Sequence, residues 1–192
     1  MSAPLPPDLQ KVLDSIDASD RAGAELAARL TDEDFHWKPD AGQRWSVAEC
    51  LDHLATINAV YLAAARTGIE KARKNGWNRR GPLQPGFFGR KFIASMEPPV
   101  KRKLRTPQLG EPKPQRRRDE IMRDYHAAHE EIRKMIREAA TIDANRATFR
   151  NPFIRIVNVK VATAFHVVAA HDRRHIWQAE QVEREIRAAA NR

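Results

Sequence analysis

The sequence predicts an all-α protein, a four-helix bundle with a long proline-rich basic crossover between the second and third helices. Four stretches repeat apolar residues at three- and four-residue intervals, which is the period of an amphipathic helix. The composition is rich in Ala, Leu, Arg, Glu and Lys and contains 8 glycines, which favours helices over sheets. Helices that are apolar on one side only bury those sides best against each other, and 192 residues fit a single domain over 1–192.

The first helix is predicted over residues 7–30. Its apolar stripe consists of Leu9, Val12, Leu13, Ile16, Leu26 and Leu30. Pro6 and Pro7 suit the first turn, where a missing N–H costs nothing. A connector over 31–45 follows, in which Pro39 and Gly42 prevent the helix from continuing.

The second helix is predicted from Ser46 to about Lys74. Ser46 and Glu49 have the spacing of a capping box, in which each side chain accepts a hydrogen bond from an otherwise unpaired backbone N–H. Trp45 precedes the cap and is placed to pack against Cys50. The apolar face contains Val47, Cys50, Leu51, Leu54, Ile57 and Tyr61.

Residues 77–118 have a different composition. They contain seven of the twelve prolines and twelve basic residues against two acidic ones, so this segment carries +10 while the rest of the chain carries −1. Proline at this density excludes a long helix, although 90–96 has room for one or two turns. A connection of this length predicts a functional crossover, a lid or a mobile segment.

The third and fourth helices are predicted over 115–140 and 159–190. The third has Ile121, Tyr125, Ala128, Ile132, Met135 and Ile136 on its apolar face. The fourth has Val161, Phe165, Val168, Ile176, Ala179, Val182 and Ile186. The connector over 141–158 contains Pro152 and β-branched residues, and its pattern predicts no particular element.

Three histidines form a candidate metal site. His171 and His175 lie four residues apart on the fourth helix, so their imidazoles project from one face. His53 lies beside the apolar face of the second helix, where a buried imidazole needs a polar partner. Three imidazoles from two helices would leave a coordination position open, as in catalytic metal sites. The alternative is that these histidines are hydrogen-bonded core residues without a metal.

Other residues are weaker candidates for the same site. Gln178 continues the stripe of His171 two turns later and could orient a ligand or a metal-bound water. Glu49 lies one turn before His53 and could accept from its imidazole, although the cap is the favoured role. Cys50 is a minor ligand candidate. His126 and His129 form a rival pair, but they fall in a charged run and are interpreted as a solvated face.

Charge and cysteine content limit the classes of partner. A single cysteine excludes an intramolecular disulfide, and no secretory signal is recognisable, so a cytoplasmic protein is expected. The longest apolar run is too short to cross a bilayer, and no membrane partner is expected. Nucleic-acid binding through 77–118, with Phe87, Phe88 and Phe92 stacking on bases, is a possible but disfavoured interpretation, because prolines scatter the charges.

Two short motifs resemble those of the DinB-like superfamily, the DinB/YfiT-type helical bundles. They are Trp45-Ser46-Val47-Ala48-Glu49 with His53-Leu54 one turn on, and His171-Asp172-Arg173-Arg174-His175-Ile176-Trp177-Gln178. The crossover sequence Arg105-Thr106-Pro107 is similar to one branch of that family. The resemblance implies a four-helix bundle, commonly a homodimer, with nickel, zinc or a similar divalent ion held by His53, His171 and His175.

The resemblance also implies a function. Some relatives resemble transferases that use a low-molecular-weight thiol, so the leading expectation is a divalent-metal-dependent S-transferase acting on a small electrophile. A metal-dependent hydrolase and a non-catalytic binding or interaction protein are the alternatives, because fold does not fix function. The substrate and the catalytic residues are not identified by the sequence.

Overall fold

A computed structural model describes residues 4–100, 106 and 108–190. Its α-helices are α1 (Pro7–Arg29), α2 (Asp32–His36), α3 (Val47–Lys74), α4 (Phe87–Met96), α5 (Arg118–Glu138) and α6 (Val161–Ala190). Two short strands, β1 (Thr148–Arg150) and β2 (Asn158–Lys160), form an antiparallel hairpin in which Phe149 pairs with Val159.

The four long helices form the predicted bundle. Helix α3 packs against α5 and α6, and α1 packs against the same two helices. The interior contains two apolar clusters, one around Ile16, Ile69 and Phe165 and the other around Leu26, Leu51 and Tyr125. The all-α, four-helix fold class is therefore confirmed.

The first residues of the long helices agree with the sequence prediction at α3 and differ from it at α5 and α6. Ser46 Oγ accepts from the backbone N–H of Glu49 at 3.1 Å, and Glu49 Oε2 accepts from that of Ser46 at 3.0 Å, so the predicted capping box is confirmed. Helix α5 begins three residues later than predicted, after Gln115, which has a positive φ of 55°. Helix α6 begins at Val161 because the preceding residues pair in β2.

Both short connectors contain elements that periodicity alone did not predict. Residues 31–45 include α2, whose first turn is capped by Thr31 Oγ1 accepting from the Asp34 N–H at 3.1 Å. Residues 141–158 include most of the hairpin. Phe149 is buried against Tyr61 with ring centroids 5.4 Å apart, and Phe153 stacks on the same ring. The hairpin thus lies along α3.

The crossover between α3 and α5 is more ordered than the proline content predicts. It includes the ten-residue helix α4, longer than the one or two turns expected. Glu97, just after α4, forms an ion pair with Arg173, and Arg79 donates to Asp8 at 2.7 Å, which fixes the crossover to α6 and α1. Part of the basic run (Lys101, Arg102, Lys103 and Arg105) lies outside the described residues, as does Pro107 of the Arg105-Thr106-Pro107 motif.

Within the part of the chain that the structure describes, no helix combines the length and the apolar composition needed to cross a bilayer.

Candidate metal centre

The three predicted histidines converge between α3 and α6. His53 lies in the second turn of α3, directly after the capped start, and His171 and His175 lie on successive turns of α6. The two helices run antiparallel, since His53 meets His171 while Gly68, further along α3, packs against Val161. One possible ligand atom from each imidazole lies within 4.8 Å of the others. The juxtaposition expected from the sequence is present.

The imidazoles are close enough to share one ion. His53 Nε2 and His171 Nε2 are 3.3 Å apart. The ring centroids are separated by 4.5 Å for His53 and His175, 4.6 Å for His171 and His175, and 5.1 Å for His53 and His171. No other His, Cys, Asp or Glu of the described residues joins this group.

A backbone carbonyl in the crossover fixes the orientation of His53. His53 Nδ1 donates to the Gly110 carbonyl oxygen at 2.5 Å. The proton is thereby held on Nδ1, and the Nε2 lone pair is directed at the other imidazoles; a hydrogen bond of this kind is typical of metal-binding histidines. Gly110 approaches so closely that a Cβ would lie 2.2 Å from Ile57 Cδ1. Sequence reasoning missed this role because a carbonyl acceptor has no side-chain signature.

Burial keeps the three imidazoles neutral. Desolvation lowers the pKa of His171 to about 3, and neighbouring His53 adds to the fall. Desolvation also lowers the pKa of His175 well below its usual value, and that of His53 to a smaller extent because the Gly110 hydrogen bond opposes it. Neutral imidazole is the form that binds metals.

Unpaired nitrogen atoms in the cluster are consistent with a missing partner. The buried Nδ1 atoms of His171 and His175 have no hydrogen-bond partner among the described residues. A buried polar atom without a partner costs free energy and calls for a ligand or water. The His171 nitrogen that faces His53 is Nε2, so an ion shared with His53 would leave Nδ1 for a water. Three neutral imidazoles form a donor set that suits zinc, nickel or copper. The residues present therefore fit a divalent metal.

Trp45 forms an apolar wall beside the cluster. Its ring lies 4.8 Å from that of His53 and 5.7 Å from that of His175, measured between centroids. Trp45 also packs against the apolar cluster that contains Cys50, the residue that it is predicted to contact. An indole in this position excludes water from one side of the imidazoles.

Gln178 and Glu49, the two residues expected to orient a ligand, contact different groups. The Gln178 side chain approaches His175 and acts to raise its pKa against the larger effect of burial. Glu49 instead takes part in the capping box, and its Oε1 accepts from Lys38 Nζ at 2.8 Å. Both carboxylate oxygens are thus engaged away from the imidazoles, so the interpretation of Glu49 as an acceptor for His53 is wrong and its capping role is confirmed.

The remaining sequence candidates do not join the imidazoles. Cys50 is fully buried, and burial raises the pKa of its thiol, so it is an unreactive core residue. His126 lies on the surface and contacts Asp20 Oδ1 at 2.8 Å. The interpretation of its neighbour His129 as part of a solvated face is wrong, because His129 is 0% exposed.

His129 belongs to a second buried polar cluster next to the candidate metal centre. Its Nδ1 donates to the Tyr125 carbonyl at 2.8 Å, and its Nε2 lies 3.3 Å from Asp172 Oδ2. Asn58 Nδ2 donates to the other Asp172 oxygen at 2.9 Å. Burial lowers the pKa of His129, but the Asp172 carboxylate outweighs it, so the pKa is raised overall.

Asp52 fixes the end of the crossover beside His53. Its buried carboxylate accepts from the Lys113 backbone N–H and from Arg116 Nη1, each at 2.7 Å. Arg116 also donates to Asp124 on α5 at 2.7 Å. These two hydrogen bonds add to the one between His53 and Gly110 in holding the segment to α3. Sequence reasoning assigned Asp52 no role.

Comparison with known proteins gives one positive finding. A family model described as the DinB superfamily matches residues 16–179, which include His53, His171 and His175. No curated protein and no solved structure matches the chain. Since the match covers most of the chain and agrees with the bundle of α1, α3, α5 and α6, the protein belongs to the DinB superfamily.

Proposed function

We propose that the protein binds a divalent metal, nickel or zinc, through His53, His171 and His175, and that it transfers a low-molecular-weight thiol to a small electrophile. The observation that carries the proposal is the convergence of three neutral imidazoles from two helices. Three protein ligands leave a position for an exogenous ligand, which is the arrangement of catalytic metal sites.

When bound, such an ion would lower the pKa of a thiol from its free value of about 8.5 and so make a thiolate available at neutral pH. The chain's own residues prepare the site for this chemistry. The Gly110 carbonyl holds the proton of His53 on Nδ1, which leaves Nε2 free as a donor atom. Trp45 shields one side of the imidazoles from water, and Gln178 contacts His175.

The carboxylates next to the ligands favour a thiol over water as the nucleophile. A metal can lower the pKa of bound water to about 7, but many hydrolases also place a general base beside the attacking water. Asp52 is engaged by Lys113 and Arg116, and Asp172 is engaged by Asn58 and His129. Both carboxylates adjacent in sequence to the histidines are thus occupied structurally. A thiol ionised by the site needs no such base.

The first test is the metal content of the purified protein without a histidine tag. We expect nickel or zinc at one equivalent per chain, and a decrease in affinity of more than about 100-fold for His171→Ala. His126→Ala is the matched control, because His126 is a surface histidine outside the cluster, and it should retain the metal. Absence of metal binding in the wild type would favour the non-catalytic alternative.

The second test is consumption of a low-molecular-weight thiol in the presence of epoxide or chlorinated electrophiles, with and without metal. A metal-dependent rate that is lost in His171→Ala and kept in His126→Ala is the expected result. Turnover of esters or amides without a thiol would instead identify a hydrolase.

A further inference from the structure

Two segments of the protein expose large apolar side chains to solvent. Helix α4 exposes Phe87, Phe88 and Phe92, with Phe88 84% exposed. The loop between β1 and β2 exposes Ile154, Ile156 and Val157, with Ile156 94% exposed. Single exposed apolar residues are common, but groups of them mark docking surfaces.

The same two segments are rich in basic side chains. Residues 79–96 contain four basic and no acidic side chains, and so do residues 146–160. Each segment therefore has a charge of +4. The exposed apolar residues are thus interspersed with basic side chains in the sequence, although Arg79 is paired with Asp8.

Both segments flank the beginning of α6. Strand β2 ends at Lys160, and α6 begins at the next residue. Gly89 of α4 packs onto Thr163, two residues into α6, so closely that a Cβ would lie 2.7 Å from Thr163 Cγ2. The stacking of Phe153 on Tyr61 anchors the hairpin loop and leaves Ile154 and Ile156 outside the core. Each segment is thus attached to the beginning of α6.

We propose that these residues form a docking surface for the anionic headgroups and outer acyl region of a lipid bilayer. The surface consists of the apolar residues Phe87, Phe88, Phe92, Ile154, Ile156 and Val157 together with the basic residues Arg90, Lys91, Arg155 and Lys160. Apolar side chains that enter the headgroup boundary, flanked by Lys and Arg that attract anionic lipid, are the features of interfacial binding. The apolar runs of the sequence are too short for a helix that spans a bilayer. Binding at the surface of a bilayer does not need such a helix.

The chemistry of the docking surface favours lipid over nucleic acid. Ile154, Ile156 and Val157 have no ring to stack on a base, whereas aliphatic chains mix readily with acyl chains. One aromatic face is already occupied, since Lys91 Nζ lies 4.6 Å from the Phe87 ring centroid. Phe87 and Phe88 meet edge to face, a geometry that does not form a stacking platform.

The test is flotation of the full-length protein with vesicles of phosphatidylcholine alone and of phosphatidylcholine mixed with phosphatidylglycerol. We expect binding to the anionic vesicles that weakens with salt, and little binding to the neutral ones. The double variant Phe88→Ser/Ile156→Ser should bind roughly tenfold less tightly. Replacing Lys91 and Arg155 by Glu should abolish the preference for anionic lipid.

The matched controls are Leu109→Ser, an exposed apolar residue outside the two segments, and Lys134→Glu, an exposed basic residue on α5. Both should bind vesicles like the wild type. Equal binding to both vesicle types, or unchanged binding of the double variant, would overturn the proposal. Binding to duplex DNA but not to vesicles would also overturn it. The same holds if the docking-surface variants change the oligomeric state and leave vesicle binding unchanged. Vesicle binding can be measured in metal-free protein. A negative result would therefore not bear on the proposed catalytic function.

Discussion

Two histidine clusters lie side by side along α6, and they shift the pKa values of their imidazoles in opposite directions. In the candidate metal centre, burial lowers the pKa of His53, His171 and His175. In the neighbouring cluster, His129 is equally buried, yet its pKa is raised. The difference is the Asp172 carboxylate, 3.3 Å from His129 Nε2. The chemistry of the neighbouring groups, and not burial alone, decides whether the pKa of an imidazole falls or rises.

One dipeptide supplies both clusters. His171 and Asp172 are consecutive on α6, and a helix turns about 100° per residue, so their side chains leave the axis in different directions. His171 faces His53 of α3, while Asp172 faces Asn58 of α3 and His129 of α5. The orientation of α6 that directs His171 toward His53 is therefore the same one that pairs Asp172 with its partners.

The largest expected effect comes from removing the Asp172 charge. Asp172→Asn leaves His129 without its counter-ion in a site closed to water, and we expect the free energy of unfolding to fall by about 3 kcal/mol in urea denaturation. The double variant with His129→Gln should lose less than the sum of the two single variants. Arg117→Ala, which breaks a surface pair with Asp119, should stay within about 0.5 kcal/mol of wild type. A similarly small change for Asp172→Asn would contradict the assigned pairing.

A smaller effect is expected at the crossover carbonyl that orients His53. In Gly110→Ala the new Cβ would collide with Ile57 and displace the carbonyl from His53 Nδ1. We expect metal affinity, measured by competition with a chelator, to fall roughly 10- to 100-fold. Adding Ile57→Ala removes the colliding atoms and should restore part of the affinity. Unchanged affinity in the single variant would show that the carbonyl does not orient the ligand.

The opposite pKa shifts of the two clusters predict opposite pH dependences of stability in metal-free protein. The folded-state pKa of His171 is about 3 against 6.5 unfolded, so below pH 6.5 the unfolded chain binds a proton that the folded protein does not. Wild type should therefore lose stability relative to His171→Gln as pH falls below 6.5. The slope should be at most about 1.4 kcal/mol per pH unit.

For His129 the sign is reversed. Its raised folded-state pKa contributes stability that is fully present below pH 6.5 and is lost as pH rises through the folded value. The advantage of wild type over His129→Gln should accordingly shrink with increasing pH. Denaturant midpoints for the three proteins, taken across pH 5 to 8, measure both slopes. Slopes of the same sign would refute the assignment of opposite pKa shifts.

The sequence predicted the parts of the molecule that depend on local spacing. The four-residue interval of His171 and His175, the Ser46–Glu49 cap and the apolar stripes all follow from helix geometry, and each is present. His129 was misread because its charged neighbours suggested a solvated face. Its burial depends on Asp172, 43 residues away, and no local pattern reports such a pairing.

The parts that could not be predicted depend on contacts with the crossover and the hairpin. Gly110 reaches His53 across 57 residues, through a backbone atom that any residue possesses. Helix α4 forms in spite of the surrounding prolines, because Pro85 precedes it and Pro98 and Pro99 follow it. Prolines outside a helix mark its ends and do not interrupt it.

The hydrogen bond between Gly110 and His53 has a kinetic consequence. The segment that carries Gly110 is attached to the bundle mainly by polar contacts of Asp52, whereas the bundle itself is closed by apolar packing. Segments held by few apolar contacts open far more often than a protein unfolds globally. If the imidazoles bind an ion as proposed, we expect its release to follow opening of the segment around Gly110, and amide exchange near residue 110 should track the dissociation rate.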